Sequence, residues 1–109
     1  MAINETDYLI WCLAEECSEV IKECSKSERF GLNSCNPYDD KKVNNAMALV
    51  DEVYDVRARA KLLFEHLQIP YCDNQIYKFK QRKAKLEKNM AISRKTGALK
   101  EIVYRPKKV

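Results

Sequence analysis

The sequence predicts an all-α protein with three main helices, and three observations support that prediction. Only two glycines and three prolines occur in 109 residues, which suits long helices better than many short strands with tight turns. Apolar residues recur at three- and four-residue steps in three stretches, as in amphipathic helices. The apolar share of 46% and the charged share of 33% are those of a globular chain. The length predicts a single domain over residues 1–109.

The first helix is predicted from about Glu5 to Glu28. Asn4 and Thr6 are candidates for its N-cap, and Gly31 supplies a natural stop. Apolar positions three and four residues apart place a stripe on one face of this helix. The stripe consists of Ile10, Leu13, Cys17, Val20, Ile21 and Cys24.

The second helix is predicted to begin between Tyr38 and Val43 and to run to about Leu67. It follows the segment GLNSCNPYDD, which is dense in turn-forming residues. Pro70 ends it, because proline lacks the backbone N–H that a helix needs. Its apolar stripe includes Val43, Ala46, Val50, Val53, Tyr54 and Phe64.

The third helix is predicted from about Asp73, a candidate N-cap, to about Ser93, with Gly97 following. The tail over about residues 96–109 is interpreted as a short strand or an irregular arm. Three helices of this size bury little apolar surface. We therefore expect the acidic first and second helices to pair antiparallel, and a homodimer or a dimer of dimers to complete a four-helix-bundle core.

The net charge of +4 hides two halves of opposite sign. Residues 1–55 carry 12 acidic and 5 basic side chains, a net of −7, and residues 56–109 carry 4 acidic and 15 basic, a net of +11. An acidic surface suits cations and a basic surface suits anions. No apolar run approaches the ~20 residues that cross a bilayer. The segment MAINETDYLI lacks the pattern of a signal peptide. A cytoplasmic protein without a membrane partner is expected.

The cysteines show no Cys-x-x-Cys pair, and His66 is the only histidine. Structural zinc is therefore disfavoured, because its ligands usually come in tighter pairs. Small buried thiols in a reducing compartment are the preferred interpretation. The five cysteines are Cys12, Cys17, Cys24, Cys35 and Cys72.

Two acidic pairs border the apolar stripes, in the segments LAEECSEV and VDEVYDV. Glu16 and Glu19 project about 60° apart on a helix, and so do Glu52 and Asp55. If the two helices pack antiparallel, the four carboxylates converge on one volume at the edge of the core. Such a cluster repels itself unless cations occupy it. Oxygen ligands suit magnesium, with manganese as a substitute.

The alternative is a pair of solvated helix faces with ordinary salt bridges, such as Asp55 with Arg59 at i+4. One acidic pair alone would favour that alternative. Two pairs on consecutive amphipathic helices, both bordering the stripe, favour a divalent-metal site.

The segments EECSE at 15–19 and EVYD at 52–55 together resemble the Glu-Glu-x-x-Glu … Glu-x-x-Asp signature of MazG-like nucleotide pyrophosphohydrolases. This family belongs to the all-α NTP pyrophosphatase superfamily. The stretch LAEECSEVIKECSKSERFG is similar to the first helix and turn of short, phage-type members, and the resemblance spans roughly residues 8–95. Residues 20–51 separate the motifs by slightly more than is usual for the family. The excess can lie in the loop Gly31–Lys42.

The resemblance implies a magnesium-dependent enzyme that hydrolyses a nucleoside triphosphate between its α and β phosphates, giving a monophosphate and pyrophosphate. By matching motif positions it implies that Glu16, Glu19, Glu52 and Asp55 bind the metal. It implies that Glu15 orients or deprotonates the attacking water. It also implies the cytosol of a bacterium or of a phage-infected host.

The basic third helix has three interpretations. Its segment YKFKQRKAKLEK is faintly similar to the basic segment of MazG proteins, which implies that Lys78 or Arg82 contacts substrate phosphate. A solvated helix face is the alternative, and nucleic-acid binding by this helix with YRPKKV is the third. A catalytically idle interaction protein on the same fold also remains open. For Tyr8 and Trp11, which flank the first motif, core or dimer packing is preferred over stacking on a nucleobase.

Overall fold

A computed structural model describes residues 2–72 and 76–100 of the chain. Over those residues the protein is all-helical and contains no strand, which confirms the predicted class and the three main helices. The helices are α1 (Glu5–Phe30), α2 (Asn45–His66) and α3 (Ile76–Lys95).

Helix α1 begins and ends where local capping chemistry predicts. Asn4 is the N-cap, and its side-chain oxygen accepts a hydrogen bond from the backbone N–H of Asp7 at 2.8 Å. Gly31 follows the last turn with a φ of 91°, a conformation that strains residues with a side chain. The last helical residue is Phe30, so α1 extends two residues beyond the predicted end at Glu28.

Helix α2 begins at Asn45, so the predicted onset within residues 38–43 was too early. The side chain of Asn44 caps the helix by accepting a hydrogen bond from a backbone N–H of the first turn at 2.9 Å. Before the cap, the side chain of Asp39 accepts a hydrogen bond from the backbone N–H of Lys41 at 3.0 Å. Such local side-chain bonds favour turns over helix, which explains the later start.

Both ends of α1 contact α2. Near the start of α1, Thr6 Oγ1 lies 2.8 Å from Nε2 of His66, the last residue of α2. Just past the other end of α1, the carbonyl of Gly31 accepts a hydrogen bond at 2.9 Å from the side chain of Asn45. Asn45 is buried, so this bond satisfies an amide that water does not reach. These contacts fix the two helices against each other along their length.

The unit that contains α1 and α2, Met1–Tyr71, has a small core. Among the residues described, Leu63 at 6% exposure is the only buried hydrophobic side chain. The stripe predicted on α1 is largely open in the single chain, with Ile21 at 69% exposure. The thiols predicted to be buried are not: Cys12 is partly buried and the other four cysteines are exposed.

Helix α3 belongs to a second unit, Cys72–Val109. It spans Ile76–Lys95, where residues 73 to 93 were predicted, and Gly97 follows it with a φ of 80°. The predicted N-cap Asp73 and tail residues 101–109 lie outside the described residues. No helix within the described ranges is both long enough and apolar enough to cross a membrane.

Candidate metal centre

Three carboxylates from two helices meet between α1 and α2. Glu16 of α1 and Glu52 and Asp55 of α2 each offer an oxygen atom, and these atoms all lie within 4.8 Å of one another. Glu16 and Glu52 are partly buried, whereas Asp55 is exposed. Residues three apart on a helix project from neighbouring positions on one face, so α2 presents its two acids together and α1 supplies the third. We call these three residues the acidic centre.

Partial burial and the crowding of negative charge at the acidic centre affect the pKa of Glu52. Desolvation by partial burial raises the pKa of its carboxyl above the ordinary value of 4.5. The negative charges of Asp55, Glu16, Glu19 and Glu23 raise it further, in that order. A proton or a metal cation relieves the same repulsion, so the site favours binding of a positive charge.

Glu19, the fourth predicted ligand, lies one turn beyond Glu16 on α1 and is partly buried. It stands outside the group whose oxygens lie within 4.8 Å, but its charge still acts on Glu52. The structure therefore brings three of the four predicted ligands together and places the fourth beside them.

Glu23 lies near the acidic centre, because its charge acts on Glu52, although neither acidic motif includes it. The residue is only 8% exposed, and its Oε1 accepts a hydrogen bond from Lys26 Nζ at 3.2 Å. Its Oε2 is buried and has no hydrogen-bond partner among the residues described. The sequence held a signal for it, because Glu23 lies four residues after Glu19 and seven after Glu16, on the same helical face.

Arg59 supplies a positive charge to the acidic centre. Its Nε lies 3.9 Å from Oε1 of Glu16, reaching from α2 to α1. The sequence alternative paired Arg59 with Asp55 on its own helix, whereas the contact found in the structure is with Glu16. The arginine is half-exposed, so the pair is worth about 1 kcal/mol or less. It offsets only part of the negative charge.

Glu15, the predicted catalytic group, is exposed on α1. Consecutive helical residues project about 100° apart, so its side chain lies to one side of the direction taken by Glu16. Its backbone carbonyl accepts a hydrogen bond from Ser18 Oγ at 2.6 Å. The role of Glu15 stays a prediction.

The predicted phosphate contacts Lys78 and Arg82 are exposed on α3, in the second unit, and their role also stays a prediction. Tyr8 and Trp11 are exposed on α1. Neither aromatic ring is buried among the described residues, and dimer packing and stacking on a base stay predictions.

A half-open cleft of about 540 Å³ lies at the C-terminal end of α1, between that helix end and residues of the loop that follows. We call it the α1 end pocket. The sequence did not predict it, because it depends on how the loop folds back onto the helix. Its lining includes two cations, a phenyl ring and three small polar side chains: Lys26, Arg29, Phe30, Ser34, Cys35 and Asn36.

The chain matches no protein-family model, no curated protein and no solved structure. The resemblance to MazG-like pyrophosphohydrolases therefore rests on the two acidic motifs. In the structure, residues from both motifs contribute to one acidic centre.

Proposed function

We propose that the protein is a magnesium-dependent nucleoside triphosphate pyrophosphohydrolase of the MazG-like type. It would cleave a ribo- or deoxyribonucleoside triphosphate between the α and β phosphates and release a monophosphate and pyrophosphate. One observation carries the proposal: oxygens of Glu16, Glu52 and Asp55, drawn from both motifs, lie within 4.8 Å of one another. Carboxylates this close repel each other, and a divalent cation is the partner that best offsets that repulsion.

The donor set fits a hard divalent cation. Carboxylate oxygens are the ligands that magnesium and manganese prefer in proteins. The ion would be held by Glu16, Glu19, Glu52 and Asp55. The pKa of Glu52 is raised by desolvation and by the negative charges around that carboxyl, which a bound cation would offset. A bound magnesium ion would neutralise phosphate charge and lower the pKa of a water molecule.

Glu15 is the proposed general base. Its exposed carboxylate is adjacent in sequence to Glu16 but projects in another direction, so it can meet a water molecule without occupying a ligand position. The resemblance implies that Lys78 or Arg82 contacts substrate phosphate, where ammonium and guanidinium groups form strong charge-assisted hydrogen bonds.

The proposed active form has α1 and α2 antiparallel and is a homodimer or a dimer of dimers. The contacts of Thr6 with His66 and of Gly31 with Asn45, at opposite ends of α1, support the antiparallel pairing. The open stripe on α1 supports a second subunit that covers it. Sedimentation at micromolar concentration should give a dimer or tetramer, and a well-folded monomer would contradict this part of the proposal.

The test is a panel of the eight common nucleoside triphosphates with magnesium, and in parallel with manganese. Monophosphate and pyrophosphate should appear together in equal amounts. The Asp55→Asn protein, purified in the same way, controls for contaminating phosphatases. Release of orthophosphate would indicate cleavage of a different bond, and no turnover of any nucleotide with either metal would count against the proposal.

A second candidate function is nucleic-acid binding by α3. The helix carries eight basic side chains and one acidic side chain, Glu87. Rows of exposed cations track phosphate backbones and give salt-dependent binding. A shift of labelled DNA or RNA at physiological salt, without nucleotide hydrolysis, would favour this function. An interaction protein without activity would show neither result. The basic residues of α3 are Lys78, Lys80, Arg82, Lys83, Lys85, Lys88, Arg94 and Lys95.

A further inference from the structure

We infer that the α1 end pocket is a nucleotide subsite, in which Lys26 and Arg29 bind a phosphate and the base lies against Phe30. The identity of the ligand as the nucleoside monophosphate portion of the substrate rests on the proposed function. The pocket itself, its cations and its position beside Glu23 do not.

The size and lining of the pocket suit a small phosphorylated ring compound. Its volume of about 540 Å³ lies within the range of about 300–1,000 Å³ that is typical of ligand pockets. The rings of Phe30 and Pro37 supply flat apolar wall, while Ser34 and Asn36 supply hydroxyl and amide groups. A lone metal ion or an inorganic phosphate would leave most of this volume unfilled.

Two cations, Lys26 and Arg29, line the pocket. The guanidinium carbon of Arg29 lies 5.0 Å from the ring centroid of Phe30, so the ring and the charge share one wall. Lys26, the other cation in the lining, has its Nζ 3.2 Å from Oε1 of Glu23. Guanidinium and ammonium groups are the usual phosphate-binding side chains of proteins.

The wall opposite α1 is held in place by hydrogen bonds. The backbone N–H of Asn45 donates to the carbonyl of Ser34 at 2.8 Å, and that of Ala46 donates to Leu32 at 2.9 Å. The side chain of Asn45 donates to the carbonyl of Gly31. A wall that is already ordered lowers the entropic cost of binding a ligand.

Lys26 connects the pocket to the acidic centre. Its partner Glu23 is one of the charges that act on Glu52. Glu16 of the acidic centre and Lys26 are ten residues apart on α1, a rise of roughly 15 Å. A monophosphate seated on Lys26 would therefore direct the rest of a triphosphate chain toward the acidic centre, with the base at the far end.

Binding can be tested without metal and without catalysis. The protein in EDTA is treated with iodoacetamide, and alkylation of each cysteine is followed by peptide mass spectrometry. The probes are nucleoside monophosphates of the common bases, the matching nucleosides, and pyrophosphate. A monophosphate should slow alkylation of Cys35, which lines the pocket, at least fivefold at saturation, while the exposed Cys72 reacts at an unchanged rate. The matching nucleoside should protect Cys35 less.

Variants separate the two halves of the subsite. Lys26→Gln and Arg29→Gln should each raise the Kd of the monophosphate about tenfold, because each removes a charge-assisted hydrogen bond. Phe30→Leu should weaken the monophosphate but leave pyrophosphate unchanged. Lys61→Gln, an exposed cation on α2, is the matched control and should change nothing. Arg29→Gln leaves the pair of Lys26 with Glu23 intact, so it remains informative if Lys26→Gln folds poorly.

Failure of the subsite and failure of the proposed function give different results. Glu19→Gln should keep protection of Cys35, because Glu19 is not among the residues that line the pocket. Protection without hydrolysis of any triphosphate would remove the proposed function and leave the subsite. No protection by any monophosphate, or protection that survives both Lys26→Gln and Arg29→Gln, would overturn the subsite.

Discussion

The unit of α1 and α2 and the helix α3 carry charges of opposite sign and hold them in different surroundings. In the first unit, Glu23 is buried at 8% exposure. Desolvation of Glu52 on α2 and the negative charges of four neighbouring carboxylates raise the pKa of Glu52. On α3, Lys83 Nζ lies 3.9 Å from Glu87, and both side chains are more than 60% exposed. Water screens the second kind of charge far better than the first. We therefore expect metal binding and catalysis at the acidic centre, where charges are crowded and partly desolvated. We do not expect them on α3, where charges are numerous but exposed.

The largest expected effect concerns the acids of the first unit. Glu19→Gln and Asp55→Asn should each lower triphosphate turnover by at least about 100-fold, since even groups that only orient metal ligands are worth 10- to 100-fold. The double variant should cost little more, because the ligands act as a unit. Turnover measured at saturating magnesium checks this, with far-ultraviolet circular dichroism as the folding control. Near-normal rates in both single variants would indicate that these acids form an ordinary solvated helix face, as the charges of α3 do.

Glu15→Gln should separate catalysis from metal binding. Loss of a general base typically costs about 10²- to 10⁴-fold in rate, and Gln cannot accept the proton. Because Glu15 is not proposed as a ligand, the magnesium-induced rise in Tm should stay as in the wild type. A variant that loses both turnover and the rise in Tm would reassign Glu15 to the metal site.

The sequence predicted what depends on local chemistry. The limits of α1 followed from Asn4 and Gly31, whose capping acts within a single turn. The proximity of the two acidic motifs followed from helical period and one packing assumption. The contact of Arg59 with Glu16 could not be predicted, because the partner depends on the rotation and offset of two packed helices.

Magnesium should stabilise the first unit by binding at the acidic centre, and side chains of α3 should not contribute to this stabilisation. A ligand that binds only the folded state adds RT ln(1 + [L]/Kd), about 2.7 kcal/mol at a concentration 100 times Kd. Wild-type Tm should therefore rise by several degrees with magnesium, and Asp55→Asn should lose most of that rise. Lys83→Gln is the matched control on α3 and should retain it. Calcium at equal ionic strength separates site binding from general salt screening, because its larger radius suits the site less.

Metal-free stability should fall as pH rises through the titration of Glu52. The folded-state pKa of this carboxyl is raised above the ordinary value of 4.5, which the unfolded chain keeps. Between the two pKa values the folded protein binds more protons, so the free energy of unfolding decreases with rising pH and levels off above the raised pKa. Glu52→Gln should remove that decrease. Urea unfolding in EDTA from about pH 4 to pH 8 checks the prediction, and equal slopes in both proteins would contradict it.

The smallest effect should come from the exposed pair on α3. Lys83 and Glu87 are four residues apart in a helix, with Lys preceding Glu, the weaker of the two orders. Water and salt screen both side chains, so a double-mutant cycle with Lys83→Gln and Glu87→Gln should give a coupling of about 0.5 kcal/mol or less, falling toward zero in 1 M salt. The same cycle on Arg59 and Glu16 should give a larger coupling that salt reduces less, because Glu16 is partly buried among other acids. If the α3 pair couples as strongly as the pair at the acidic centre, solvent exposure does not explain a difference in coupling energy between the two regions. The charges of α3 would then be as good a candidate for a functional site as the acidic centre.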